Sequence, residues 1–358
     1  MKPMNRRDAL ATMAGGGGAM LLGGVARALG QSAPNRSRLG IVIYALGIHQ
    51  RNQWAGRHAG LTPAPALLEE CRLLGAGGIQ CPLGLTDSAA ASALRRRAES
   101  YSMYVEASLD SPRDEADVTR FEKDVQLAKA AGVSVGRTVI MPGRRYEQFK
   151  SLDEFRQSEA RALKSLQLAE PVLARHRFRL AVENHKDQRI AEKLALLKRL
   201  GSEFIGLCVD VGNNLALMED PLEVARAFAP WAFTVHIKDH AVREYAEGFL
   251  LADVALGDGF LDLPAIVKVL REANRNIRFN FETITRDALQ VPVWTDGFWA
   301  TLSDTPAPEL ARTWQLVKAK SSPKPLVTVS TLPEAEQLAL ERRHVERSLV
   351  YAREKLEL

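Results

Sequence analysis

Short apolar runs alternate along this chain with longer amphipathic stretches, and turn residues separate them. Leu39–Leu46 reads as a first strand. Thr62-Pro63 opens a helix to about Leu74, and Gly78–Pro82 is a short second strand. Asp87 can cap a helix to about Glu99. Tyr101–Ala107 is a third strand, followed by a helix from about Asp114 to Ala131 that Gly132 closes. Val135–Met141 is a fourth strand, ended by Pro142-Gly143, and a long amphipathic helix covers about Leu152–Arg175. Four further strands contain Leu180–His185, Leu207–Gly212, Thr234–Asp239 and Phe279–Thr283, with helical stretches near 187–200, 219–228 and 262–274. Eight strands alternating with helices predict a parallel α/β fold, and eight repeats favour closure into a (β/α)8 TIM barrel. A doubly wound open sheet is the alternative, but it would gather ligands at one switch point.

Each of the last four strands ends on an acid or imidazole: Glu183, Asp210, His236 and Glu282. The intervals are 27, 26 and 46 residues. A strand with its crossover helix takes about 30 residues, so the spacing suits one group per βα unit at the same end of successive parallel strands. Counting back by odd steps gives Val182, Leu180, Val209, Leu207, Val235, Phe233, Phe281 and Phe279, all apolar. Alternation then turns those residues towards the helices and the four polar ones towards a shared interior. Three carboxylates and one imidazole make an oxygen-rich site for a divalent metal.

Two stretches interrupt the βα rhythm: His240 to Asp258, and Thr285 to Pro308 with Trp294, Phe298 and Trp299. Loops after strands build the active face of such barrels, so these rings would either stack on a sugar or plug the helix ends. Ser321–Pro325 breaks the chain, and a last helix from about Pro333 to Lys355 carries the stripe Leu338, Val345, Leu349 and Leu356. The expected divisions are a barrel over 39–320 and a C-terminal helical extension over 326–358, packed on the barrel or on a second subunit. A homo-oligomer is left open.

Composition refines this picture little: 46% hydrophobic and 25% charged residues are ordinary for a globular chain. The first residues change it more. Arg6-Arg7, a Gly- and Ala-rich run from Ala11 to Val25, and Ala26-Arg27-Ala28 resemble a twin-arginine export signal over 1–28, followed by a polar linker over 29–38. The expected location is therefore periplasmic or otherwise exported. The run is too short and glycine-rich for a good membrane span. Removing residues 1–28 takes away four basic side chains and one acid, so the net charge falls from +5 to +2. No large basic surface for nucleic acid is implied. Cys71, Cys81 and Cys208 are an odd number for a disulfide framework, and Cys208 reads as packing.

The ordered set Val182-Glu-Asn-His185, Val209-Asp-Val-Gly-Asn213, Val235-His-Ile-Lys-Asp239, Gly257-Asp-Gly259 with Asp262-Leu-Pro264, and Phe281-Glu282 resembles the xylose-isomerase-like barrel superfamily. It is most similar to the broad sugar phosphate isomerase/epimerase group. The resemblance implies one divalent metal on Glu183, Asp210, His236 and Glu282, with Mn2+ first and Mg2+, Co2+ or Zn2+ also compatible. It also implies that Glu183 and Glu282 move protons on opposite faces of the substrate. The ketose epimerases of this superfamily often have a histidine where Asn213 stands here, which puts a ketose 3-epimerase geometry in doubt.

Several other residues could touch substrate. His185 and Lys238 share the inward parity of Glu183 and His236. Asn213, Glu106, Trp294 and Asp258 complete the expected substrate contacts. His49 and His240 carry less weight, and Arg144 and Arg145 read as a solvated loop. The acid of Asp258 argues against that loop cradling phosphate, and export argues the same way, so the expected substrate is a free or keto sugar. The leading function is a metal-dependent carbohydrate isomerase or epimerase. A lyase or hydrolase of 3-keto-glycosides would use the same metal and base. A DNA-repair nuclease, which needs a histidine-rich three-zinc cluster, fits poorly with one convincing histidine ligand. A non-catalytic sugar-binding protein is the remaining class.

Overall fold

The apolar run Leu39–Leu46 is only partly a strand. Gly40–Val42 (β1) is extended, whereas Ile43–Leu46 winds into a 3-10 turn that runs into α1 (Gly47–Asn52). A carboxylate far along the chain favours that turn. Glu341 accepts the backbone N–H groups of Ile48 and His49 at 2.8 and 2.9 Å, satisfying donors that a helix start leaves open. The computed structural model describes residues 36–58 and 60–358. The expected export signal and most of the linker lie outside the described residues.

α2 (Trp54–Arg57) and α3 (Pro63–Leu74) lead to β2 (Gly78–Cys81). α4 (Ser88–Ser100), β3 (Tyr104–Ser108), α5 (Val118–Ala130) and β4 (Val135–Thr138) continue the alternation. α6 (Arg145–Gln148) and α7 (Leu152–His176) precede β5 (Arg179–Glu183), α8 (Ile190–Leu200), β6 (Ile205–Asp210), α9 (Pro221–Phe228) and β7 (Ala232–Ile237). A hairpin of β8 (Asp239–Tyr245) and β9 (Gly248–Val254) intervenes before α10 (Leu263–Ala273) and β10 (Arg278–Phe281). β11 (Leu289–Val291), α11 (Asp296–Trp299), α12 (Ala307–Lys320) and α13 (Glu334–Lys355) follow. Asp87 caps α4 through Ala90 N at 2.8 Å, as its position predicts.

β1, β2, β3, β4, β5, β6, β7 and β10 close into one parallel barrel, each paired with the next in sequence and the last with the first. The predicted (β/α)8 fold is the observed one. Tyr104 fills the lower interior: its ring lies where Cβ atoms on Gly40 and Gly78 would sit, and its hydroxyl donates to Phe279 O at 2.9 Å. Glycine at those two positions is a packing requirement.

One strand departs from simple alternation. Leu207 pairs with Ala232 but Cys208 pairs with Thr234, so Phe233 is an extra residue in β7. Its ring turns inward onto Val135, Ala181 and Cys208, above the Cβ-less Gly206. This corrects the outward placement that parity alone gives Phe233. The other seven apolar neighbours belong to the main core between strands and helices.

The two expected loops are not irregular. β8, β9 and β11 form an antiparallel sheet over a second core that includes Val242, Phe249, Leu251, Val291, Phe298 and Val317. The C-terminal helix packs on the barrel. Val345, Leu349, Ala352 and Leu356 join the main core, and Arg271 of α10 donates to Leu356 O at 3.0 Å. α13 is therefore the outer helix that follows β10, and 321–325 is a link inside one compact unit. Among the described residues no helix is long and apolar enough to cross a membrane.

Candidate metal centre

Glu183 ends β5, Asp210 ends β6, His236 lies near the end of β7, and Glu282 follows β10. The barrel brings all four together: each offers a ligand atom, and these atoms lie within 4.8 Å of one another. All are buried. Carboxylates this close repel by about 3 kcal/mol a pair at an effective dielectric of about 20, so the cluster requires positive charge.

Hydrogen bonds fix each group. Asn184 clamps Asp210 by accepting its N–H at 2.7 Å and donating to its carbonyl at 2.8 Å. Asp210 Oδ1 accepts from Gly212 N and Asn213 N at 3.1 and 3.2 Å, which leaves Oδ2 for the centre. Arg137 Nε donates to Glu183 Oε2 at 2.6 Å. Lys238 Nζ lies 2.6 Å from Asp210 Oδ2 and 2.8 Å from Glu282 Oε2. His236 Nε2 meets Gln80 Oε1 at 2.6 Å, and an amide oxygen can only accept, so Nε2 carries the proton. Nδ1 faces Glu183 and Glu282, 3.5 and 3.3 Å away, with no hydrogen-bond partner of its own. Against burial, Cys208, Glu282 and Glu183 raise His236 well above its usual value, so Nδ1 holds a proton that a bound cation would replace. A buried, unpartnered imidazole nitrogen facing three carboxylates fits a divalent cation.

Burial raises all three carboxyls, and the neighbours then separate them. The Arg137 guanidinium brings Glu183 below its usual range. His236 and Lys238 bring Glu282 well below its own. Asp210 stays above its usual value despite Lys238. In return Asp210 and Glu282 raise Lys238 against the effect of burial, so it is an ammonium at neutral pH.

A cavity of about 440 Å³ opens over the centre. His185, Asn213 and Lys238 line it. Asn213 also donates to Asn184 O at 3.0 Å. A wider cavity of about 880 Å³ shares Asp110, Val139 and Pro142 with it.

Three expected substrate contacts lie elsewhere. Asp258 faces out and pairs with Arg347 of α13. Its neighbour in the motif, Asp239, is the acid that shapes this loop, accepting N–H groups from Gly257, Gly259 and Leu261 at 3.0, 3.1 and 3.1 Å. Trp294 is half exposed and meets Trp314 edge-on, with centroids 4.9 Å apart. Glu106 is buried inside the barrel, where Gln80, Thr234 and Asn280 donate to it at 3.1, 2.8 and 3.0 Å. It touches the centre only through Gln80. Arg145, read as solvated, is buried with its guanidinium 3.6 Å from the Phe155 ring centroid and bonded to Glu192 at 2.7 Å. His49 meets Glu341 at 2.7 Å and His240 meets Asp253 at 3.1 Å, both structural pairs. The three cysteines are buried and free, and burial raises Cys71 and Cys81.

Sequence reasoning missed Gln80, Arg137, Lys186 and Arg286. Gln80 and Arg137 carry a detectable signal, since each is a long polar side chain inside a short barrel strand, Gln80 between Ile79 and Cys81 and Arg137 between Gly136 and Thr138. Lys186 and Arg286 sit on loops and offer none.

Residues 68–311 match the family described as the xylose isomerase-like TIM barrel. The chain belongs to that family. The fold is shared with an L-ribulose 3-epimerase at TM-score 0.52 and 17% identity, covering 89% of this chain and 96% of that one. It is shared with a D-psicose 3-epimerase from Clostridium cellulolyticum H10, solved with D-tagatose, at TM-score 0.52 and 12% identity over 78% of this chain and 96% of that one. A 3-oxo-isoapionate decarboxylase of Pectobacterium atrosepticum is 33% identical over 123 residues. That match spans 34% of this xylose isomerase-like chain and 44% of the decarboxylase.

Proposed function

We propose that this protein is a divalent-metal-dependent enzyme that moves a proton next to a carbonyl of a small carbohydrate, as an isomerase or epimerase does. The observation that carries the reading is the buried set Glu183, Asp210, His236 and Glu282, whose ligand atoms lie within 4.8 Å. Those four would hold the ion. A bound Mn2+, Mg2+, Co2+ or Zn2+ supplies Lewis-acid polarisation of the carbonyl. Glu183 and Glu282 are the proton carriers in this reading. Arg137 keeps Glu183 ionised, and His236 with Lys238 keeps Glu282 ionised, so both can accept a proton. Lys238, His185 and Asn213 line the cavity and would position the substrate oxygens.

A second reading is favoured by the partial match to a decarboxylase. There the carbon–carbon bond to a carboxylate next to a β-ketone breaks, its electron pair stays as an enolate, and carbon dioxide leaves. A proton taken up from water, delivered through one of the glutamates, then quenches the enolate carbon. The same residues serve both reactions.

Glu282→Gln should keep the fold and lower kcat by about 100-fold or more, the usual weight of a positioned acid–base group. Metal analysis and product analysis on a panel of keto sugars and oxo acids check this. Unchanged turnover in that variant would remove Glu282 from the mechanism.

A further inference from the structure

The cavity over the centre carries more positive charge than the centre itself uses. Its wall includes Arg137, Arg144, Lys186, Lys238 and Arg286, against the acids Asp110 and Glu282. Arg137 and Lys238 are committed to the ligand carboxylates. Together with a divalent ion they outweigh the three ligand acids before any other cation is counted. Arg144 is 2.6 Å from Glu147. Among the described residues Arg286 has one acid within 4.0 Å, Asp253 at 3.7 Å.

Lys186 is the unusual one. It is 4% exposed, its ammonium donates to the Asn213 amide oxygen, and it makes no ion pair among the described residues. Ion pairs nearby go to Lys193 and Lys238 instead, at 2.8 Å each. Burial, then the charge of Lys238, pushes Lys186 down to about 8.

The loop forces this placement. Lys186 has φ of 59°, a left-handed conformation that a non-glycine residue adopts only when its surroundings impose it. Asp187 imposes it by accepting the N–H groups of His185 and Gln188 at 3.0 and 2.8 Å and the ammonium of Lys193 at 2.8 Å. Arg145 N donates to Lys186 O at 3.1 Å from the other side. A buried ammonium without an acid is costly, and an incoming anion removes the cost. The expectation of a neutral sugar rested partly on Asp258, which faces away.

We propose that Lys186 and Arg286 form a carboxylate-binding subsite beside the metal centre, and that the substrate is a sugar acid. This deepens the metal-dependent reading above and rests on it. A carboxylate fits better than a phosphate because no helix of eight residues or more starts in the cavity wall to offer an N–H cradle. Two side-chain cations are matched to one carboxylate.

The test is calorimetric binding of D-gluconate, its neutral counterpart D-glucitol, and inorganic phosphate to the full chain at fixed ionic strength, with and without manganese. Gluconate should bind at least about 10-fold tighter than glucitol or phosphate, one charge-assisted contact's worth. Lys186→Met and Arg286→Gln should each remove that preference while manganese affinity and glucitol affinity stay unchanged, and Lys186→Arg should restore part of it. Arg286 is partly exposed, so its variant tests the subsite even if Lys186→Met misfolds. Equal binding of glucitol, tighter binding of phosphate, or no loss in either variant overturns the subsite. Manganese-dependent turnover of neutral ketoses with no preference for acids overturns the subsite and leaves the metal reading standing. Gluconate preference without any manganese binding does the reverse.

Discussion

At the scale of single residues, Lys186 separates a functional role from a structural one. Its folded-state value of about 8 lies below the ordinary lysine value of 10.5. A depressed base disfavours its own charge in the folded chain. The penalty is fully present below pH 8, shrinks between 8 and 10.5, and is gone above. The difference amounts to on the order of 3 kcal/mol. Lys186→Met should therefore raise thermal stability at pH 7, and the gain should fade as pH approaches 10.5. Melting curves across that range check it. A variant less stable than wild type at pH 7 would mean that Lys186 serves the fold. A gain in stability together with lost acid binding is the signature of a site residue held against its preference. Nothing in the sequence marks Lys186 for this, because its burial comes from a left-handed turn that Asp187 and Arg145 impose from outside. Asp258 shows the converse. Its Gly-flanked position suggested a ligand loop, but Asp239 two strands' length earlier draws the N–H groups inward and leaves Asp258 on the surface.

At the scale of elements, strands were legible where alternation held, and the four acid and imidazole positions that cluster in the barrel were readable from strand ends and spacing. Alternation failed at Phe233, where one extra residue in β7 turns a ring inward that counting assigns to the helices. The apolar run after β1 failed differently, since Glu341 supplies a cap that favours helix over strand. Cross-barrel support was illegible for the same reason: it joins elements distant in sequence. Glu106 of β3 receives the Gln80 amide at 3.1 Å, and Gln80 of β2 holds His236 of β7 at 2.6 Å. This chain fixes the imidazole so that Nδ1 faces the other ligands. Gln80→Met keeps the volume and frees the ring. Manganese affinity should fall by about 10- to 100-fold, the usual effect of losing such a support, with little change in melting temperature. Equal affinity in a folded variant would show that β7 alone orients the histidine.

At the scale of the whole molecule, the last helix decides whether the barrel stands. Its apolar stripe suggested packing on the barrel or on a second subunit, and the sequence could not choose, since both demand the same face. The structure places Val345, Leu349, Ala352 and Leu356 in the main core. Burying three large aliphatic side chains of this kind contributes roughly 5 to 9 kcal/mol. Glu341 adds two backbone hydrogen bonds at the start of α1, and Ser348 Oγ accepts from Leu256 N at 3.0 Å. A domain's entire stability is about 5 to 15 kcal/mol, so α13 carries a share that the remaining ring cannot replace. A chain ending at Pro325 should therefore lose its cooperative thermal transition and bind a hydrophobic dye, although residues 39–320 contain every barrel strand and every proposed ligand. A sharp transition within a few degrees of the full-length protein would show that the eight strands close without this helix.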